Sequence, residues 1–336
     1  MLPALVATVV FAQLASGPLS AAPRARATLR AAAAASPRPA ECAPPASGQQ
    51  RSVWDRAHAP GLLQYCNDLA RGYARLGHSA VGALEAARAA ERAAPGHAAS
   101  RVLEGRALLA DHKPADAYRS FQQALKLSRR ALRAPGALHD LAVSALRSGH
   151  TPESLRAYRA LVPRASLLDA AARQRAYVEA AELVMAQGPK ALDEAIGYLT
   201  EARRRGSPPG FGDYVSAALA LALDRQGRGE EARGVAAEAG GPWRLMSRLD
   251  ENDKTKHGGD GRAAPSARDK ARSSSGPVLP AGELSAMVAI LAEREDPALA
   301  REQWRAFLAS PAGKGPWAVH AKQHLAALGA ARGHRR

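Results

Sequence analysis

Small and apolar residues along this chain recur at steps of four and then three. In ADAYRSFQQALKL, residues 115–127, the residues Ala117, Phe121 and Ala124 fall on one face of a 3.6-residue helix, with polar positions between them. The same two steps return at Gly82, Ala86 and Ala89; at Ser154, Tyr158 and Leu161; and at Ala195, Leu199 and Ala202. They return again at Ala232, Ala236 and Ala239 and at Ala300, Trp304 and Phe307. The first members of the first five sets lie 35, 37, 41 and 37 residues apart. A fixed spacing of this size marks stacked helical hairpins, each too small to bury its own apolar face.

The half-unit before each set is a second helix. Leu69, Ala70 and Tyr73 precede a turn at Gly77; Gly105 and Leu108 precede Asp111-His112-Lys113; Leu141, Ala142 and Ala145 precede Gly149; Leu219, Ala220 and Leu223 precede Gly227. Pro114, Pro152, Pro189 and Pro297 stand where the following helix starts, a position at which proline's missing N–H costs nothing. Thr151 and Asp296 stand beside two of these prolines as expected N-caps.

This pattern resembles the tetratricopeptide repeat (TPR) family. The family's small residue in the first helix matches Ala70, Gly105, Ala142 and Ala220. Its alanine early in the second helix matches Ala117, Ala195, Ala232 and Ala300, and departs to Gly82 and Ser154. Its aromatic matches Phe121, Tyr158 and Trp304, and its closing proline matches Pro95 and Pro311. The resemblance implies an all-α protein, a right-handed superhelical solenoid of antiparallel helix-turn-helix repeats. It also implies that first helices line a groove for a protein or peptide partner. It places Asn67, Arg71, Arg75, Arg106, His139, Arg147, Asp224 and Arg225 on that groove.

The pattern also divides the chain. Residues 1–22 are apolar from Leu2 to about Ala15, too short for the roughly 20 residues of a membrane span, and end in small residues. They read as a bacterial secretory signal without the usual basic start. The protein is accordingly expected to be exported, periplasmic or extracellular, with a cytoplasmic location as the alternative. Residues 23–50 read as an Ala/Pro/Arg-rich linker. Repeats occupy 51–246, about five hairpins. Residues 247–280, with mixed charges, Ser and Gly, read as a disordered insert. A helix pair with a capping helix is expected over 281–330, and 331–336 as a frayed tail.

Composition sharpens this in two ways. Hydrophobic residues make up 46% of the chain but aromatics only 4%, so the apolar content is mostly Ala, Leu and Val, which favours closely packed helices over sheets. The net charge of +16 fits an acidic partner, nucleic acid or an anionic membrane surface. Arginine far outnumbers lysine and the only asparagines are Asn67 and Asn252, so a GC-rich bacterial coding bias also accounts for the charge.

No HExxH, GxSxG, P-loop or dinucleotide-binding motif occurs, and neither an enzyme nor a bound cofactor is expected. His320 and His324, four apart on one helix, share a face, but the sequence shows no third donor beside them, so no metal site is expected. Glu179 and Glu182 read as solvated. Cys42 and Cys66 are the only cysteines and are expected to form a disulfide worth roughly 3 kcal/mol, closing a loop of about 25 residues. The basic groove is expected to hold an acidic peptide, with arginine-driven polyanion or nucleic-acid binding as the alternative. Trp and Tyr are not interleaved with the arginines as base stacking would need, so nucleic acid is the weaker of the two.

Overall fold

The computed structural model describes residues 39–43, 60–204, 211–243, 245–246 and 282–333. The expected signal segment, most of the expected linker, the expected insert and the last three residues lie outside the described residues. The described residues form one compact unit. The described residues hold thirteen α-helices and no strand. They are α1 (Leu62–Arg75), α2 (Ala80–Ala93), α3 (Ala98–Ala110), α4 (Pro114–Leu127), α5 (Pro135–Arg147), α6 (Thr151–Leu161) and α7 (Ala170–Met185). Then come α8 (Leu192–Arg204), α9 (Gly212–Arg225), α10 (Gly229–Glu238), α11 (Glu283–Ala292), α12 (Pro297–Ala309) and α13 (Ala318–Gly333).

The helices pack as consecutive pairs, α1 with α2 through to α11 with α12, and α13 packs on α12. First helices also touch across pairs, α1 on α3, α3 on α5, α7 on α9 and α9 on α11. This is an all-α helical repeat.

Second helices supply the seam between pairs. Ala117, Phe121 and Ala124 are fully enclosed, and so are Ser154, Tyr158 and Leu161; Ala195, Leu199 and Ala202; and Ala300, Trp304 and Phe307. Burying a side chain of Phe or Leu size contributes roughly 1.5–3 kcal/mol. Small first-helix residues make room for the rings. A Cβ added to Gly105 would stand 2.9–3.0 Å from the Phe121 ring, closer than real contacts allow. The first pair differs from expectation. In α2 Gly82 and Ala86 are buried as expected and Ala89 is half-buried, while Ala83, Ala87 and Ala90 are buried beside them. In α1 the close approach is at Gly72, against Leu103 and Ala86, while Ala70 is exposed. Residues 76–79 separate α1 from α2, one more than separates α3 from α4.

The turns inside three pairs share one construction. His112, Gly149 and Gly227 adopt positive φ (59°, 80° and 81°) just past α3, α5 and α9. The next N–H reaches back to a carbonyl five residues earlier: Lys113 to Leu108, His150 to Ala145, Arg228 to Leu223. That is the left-handed C-terminal cap, which satisfies the last carbonyls and suits glycine; His112 adopts it with a side chain. Pro114 and Pro297 open α4 and α12, and the Asp296 carboxylate caps α12 by accepting from the N–H groups of Ala298 and Leu299. Thr151 is not a cap; it is the first residue of α6, behind His150.

Residues 39–43, inside the expected linker, form a short 3-10 turn against α1. Cys42 is disulfide-bonded to Cys66, with Cα atoms 5.6 Å apart. The Tyr65 hydroxyl donates to Glu41 (3.1 Å) beside that bond.

Candidate functional site

Helices α3, α5 and α7 turn one face each toward a cavity of about 280 Å³. Arg106 comes from α3, His139, Asp140 and Arg147 from α5, and Arg175 and Glu179 from α7, over an apolar floor of Leu76, Leu109 and Val143. Each helix turn adds polar residues to the same side, because the pairs stack with their first helices adjacent.

The charges are partly matched. The Arg106 Nε donates to Asp140 at 2.7 Å, and its guanidinium lies 5.8 Å from the Tyr73 ring. Burial works against the charge of Arg106, but Asp140 more than offsets it. His139 is 3.4 Å from Glu179. Burial alone would lower the imidazole's pKa and raise the carboxyl's; their mutual attraction reverses both, so His139 is raised and Glu179 lowered. Glu179 also accepts from the Tyr158 hydroxyl at 2.6 Å. Arg175 also faces this pocket, and its charge acts on Glu179 and His139.

Of the groove residues expected from the sequence, the fold gathers Arg106, His139 and Arg147 in this cavity. Asn67, Arg71 and Arg75 sit exposed on α1 outside it, with Arg71 3.2 Å from Asp68. Arg225 must be corrected. Its side chain is fully enclosed, paired with Glu283 at 2.8 Å, and its guanidinium lies 4.7 Å from the Trp317 ring. The start of α11 and the segment before α13 cover it, so it does not face a groove.

Glu179 and Glu182 are a second correction: both are buried, not solvated. The hydroxyls that receive them, from Tyr158 and Tyr214, lie on other helices. Burial outweighs the Tyr214 hydrogen bond at Glu182 and holds that carboxyl well above the usual range. Arg175 was missed because buried residues run unbroken from Ala176 to Met185 in the first helix of the fourth pair, so its sequence does not single out one register.

A third correction concerns the histidine pair. His320 and His324 on α13 meet Asp224 at the end of α9: its Oδ2 is 2.7 Å from one Nε2 and 2.9 Å from the other. The two Nε2 atoms are 3.2 Å apart. His324 Nδ1 lies 2.6 Å from Glu293 Oε1, which also accepts from the Trp304 indole at 2.9 Å. Burial opposes charge here too, yet the two imidazoles hold Asp224 well below the usual carboxylate range. Asp224 and Glu293 push His324 up to about 9, against the opposing effect of burial. The third donor that the sequence did not show is supplied by the fold.

These observations define the chain as an all-α helical-repeat protein with a basic first-helix pocket and a separate His/Asp cluster near its C-terminal end. Among the described residues no helix is long and apolar enough to cross a membrane. No family model matches the chain, and no curated protein matches it. Among solved structures, the crystal structure of MamA protein is similar to it at 17% identity and a TM-score of 0.39, covering 60% of this chain and 97% of that one.

Proposed function

We propose that the protein is a non-enzymatic interaction scaffold whose first-helix pocket holds an acidic segment of a protein partner. The observation that carries this reading is the convergence of Arg106, His139, Arg147 and Arg175 on one cavity that holds two carboxylates, Asp140 and Glu179. Guanidinium groups recognise carboxylates through paired, planar hydrogen bonds, so a peptide carboxylate suits such a set.

Several arginines elsewhere are paired within the fold. Arg159 binds Glu194 with two bonds of 2.9 and 2.7 Å, and Arg203 pairs with Glu238. In both cases the partner lies one repeat further on. Further arginines, Arg156 and Arg204 among them, pair within their own helix. A pocket of cations among carboxylates supports a peptide, whereas a polyanion is better served by a continuous unpaired stripe. Export is part of the proposal. The apolar stretch from Leu2 to about Ala15 and the Cys42–Cys66 bond support an oxidising compartment such as the bacterial periplasm.

The test is fluorescence anisotropy with two probes, an Asp/Glu-rich peptide and a single-stranded oligonucleotide, at rising salt. The peptide is expected to bind and to lose at least tenfold in affinity with Arg147→Glu/Arg175→Glu. Oligonucleotide binding that is tighter than peptide binding, with a steep salt slope, would replace this reading by the polyanion one.

A further inference from the structure

We propose that Asp224, His320 and His324 form a binding site for one divalent first-row transition-metal ion, with zinc as the natural probe. The proposal is independent of the groove, since none of these residues lines that pocket.

The donor set comes first. Two imidazole nitrogens and one carboxylate oxygen suit zinc, cobalt, nickel or copper, whereas magnesium and calcium prefer oxygen shells with several carboxylates. The three candidate ligand atoms converge, at 2.7, 2.9 and 3.2 Å from one another. Three ligands of a tetrahedral ion bound at about 2.0–2.1 Å sit about 3.3 Å apart, so small side-chain rotations open the triangle to fit one. Asp224 Oδ2 is buried and, despite those short distances, has no aligned hydrogen-bond donor.

The supporting residues are a second, separate observation. A ligating histidine almost always donates its other ring N–H to a carboxylate, which fixes the tautomer and leaves the opposite nitrogen free for metal. His324 does this to Glu293 at 2.6 Å, and Glu293 is itself held by the Trp304 indole at 2.9 Å. Trp304 stacks on the His324 ring at 4.9 Å, and Trp317 meets the His320 ring edge-on at 6.2 Å. The His324 ring is thus oriented before any ion arrives, whereas His320 Nδ1 is buried without a hydrogen-bond partner and its ring is held by packing. Asp224 and the histidines are each largely buried, with 15, 15 and 18% of the side chain exposed.

Access is the third. A cavity of about 470 Å³ opens beside Asp224, His324 and Glu293, walled by Ala232, Ile290 and Arg294. Three protein ligands with a fourth position facing a cavity is the arrangement of an exchangeable site, not of a closed structural one. A bound ion would also tie α13 to α9, because its ligands come from both.

The experiment uses the full chain without a histidine tag, stripped with chelator and titrated with zinc in competition with a chromophoric chelator. Expected are one equivalent bound at micromolar affinity or tighter, a raised melting temperature, and no response to magnesium. Cobalt should give the visible absorption of four-coordinate nitrogen/oxygen ligation. Asp224→Asn and His320→Gln should each weaken zinc by at least a hundredfold. Glu293→Gln should weaken it by about 10–100-fold, as expected of a residue that orients a ligand. Circular dichroism selects the variants that stay folded, and wild-type stoichiometry and the cobalt spectrum decide the matter without any variant. No saturable zinc binding, affinity unchanged in folded His320→Gln, or magnesium binding as tightly as zinc would each overturn the proposal.

Discussion

The first-helix pocket and the C-terminal cluster are both partly buried, both mix histidine with carboxylate, and are built in opposite ways. The pocket draws on three successive first helices, so its members recur with the repeat and each helix adds to a common face. The cluster joins α9 to α13, which belong to different parts of the chain and meet only because the last helix packs back across the array. The pocket is a product of periodicity; the cluster is a product of its ending. A repeat array must close its last apolar face with an atypical element, and that element is free to carry chemistry that no repeat contains.

The largest effects should come from the two enclosed aromatics that anchor these regions. Phe121→Ala and Trp304→Ala should each cost about 3–5 kcal/mol in urea unfolding. Only Trp304→Ala should also shift the imidazole NMR signals of His320 and His324, because Trp304 stacks on His324 and holds Glu293. Equal shifts from both variants would erase the distinction between the regions. Next, Ala117→Leu should overpack the seam between pairs at a cost of about 1–3 kcal/mol; an unchanged melting temperature would break the repeat register.

Smaller effects test the turns. His112→Gly should stabilise by about 1 kcal/mol, since the left-handed conformation at φ 59° penalises a Cβ, while Gly149→Ala should cost about as much. The last is a slope rather than a step. Glu182 is raised in the folded protein, so the folded state holds its proton over a pH range in which the unfolded chain does not. Its contribution is full below the ordinary carboxyl pKa of about 4.3 and is lost as pH rises through the folded value. Glu182→Gln, which keeps an acceptor for Tyr214, should remove that decline; identical stability–pH curves from pH 5 to 8 would contradict the assignment.

The same contrast explains what could be read from the residues alone. Helix type, pairing and the enclosed set at Ala117, Phe121, Ala124 or Ala300, Trp304, Phe307 were legible, because local periodicity and burial have one cause. Arg106, His139 and Arg147 were legible as one face for the same reason. Position within the array was not. Arg225 carries the same spacing as its counterparts, but Glu283 and Trp317, both far along the chain, enclose it. Glu179 and Glu182 read as surface charges because the tyrosines that accommodate them lie on other helices. Asp224 could not be joined to His320 and His324 without knowing where α13 lands. In α2 the expected set marked only one edge of a wider buried face, which also takes in Ala83, Ala87 and Ala90.

The central claim is that a partner lies on the first-helix face of the repeats. Hydrogen–deuterium exchange of the full chain, with and without a saturating acidic peptide, tests it most directly. The account predicts slowed exchange in α3, α5 and α7, with α2, α4 and α6 unchanged. Protection confined to the second helices, or spread evenly along the chain, would contradict it.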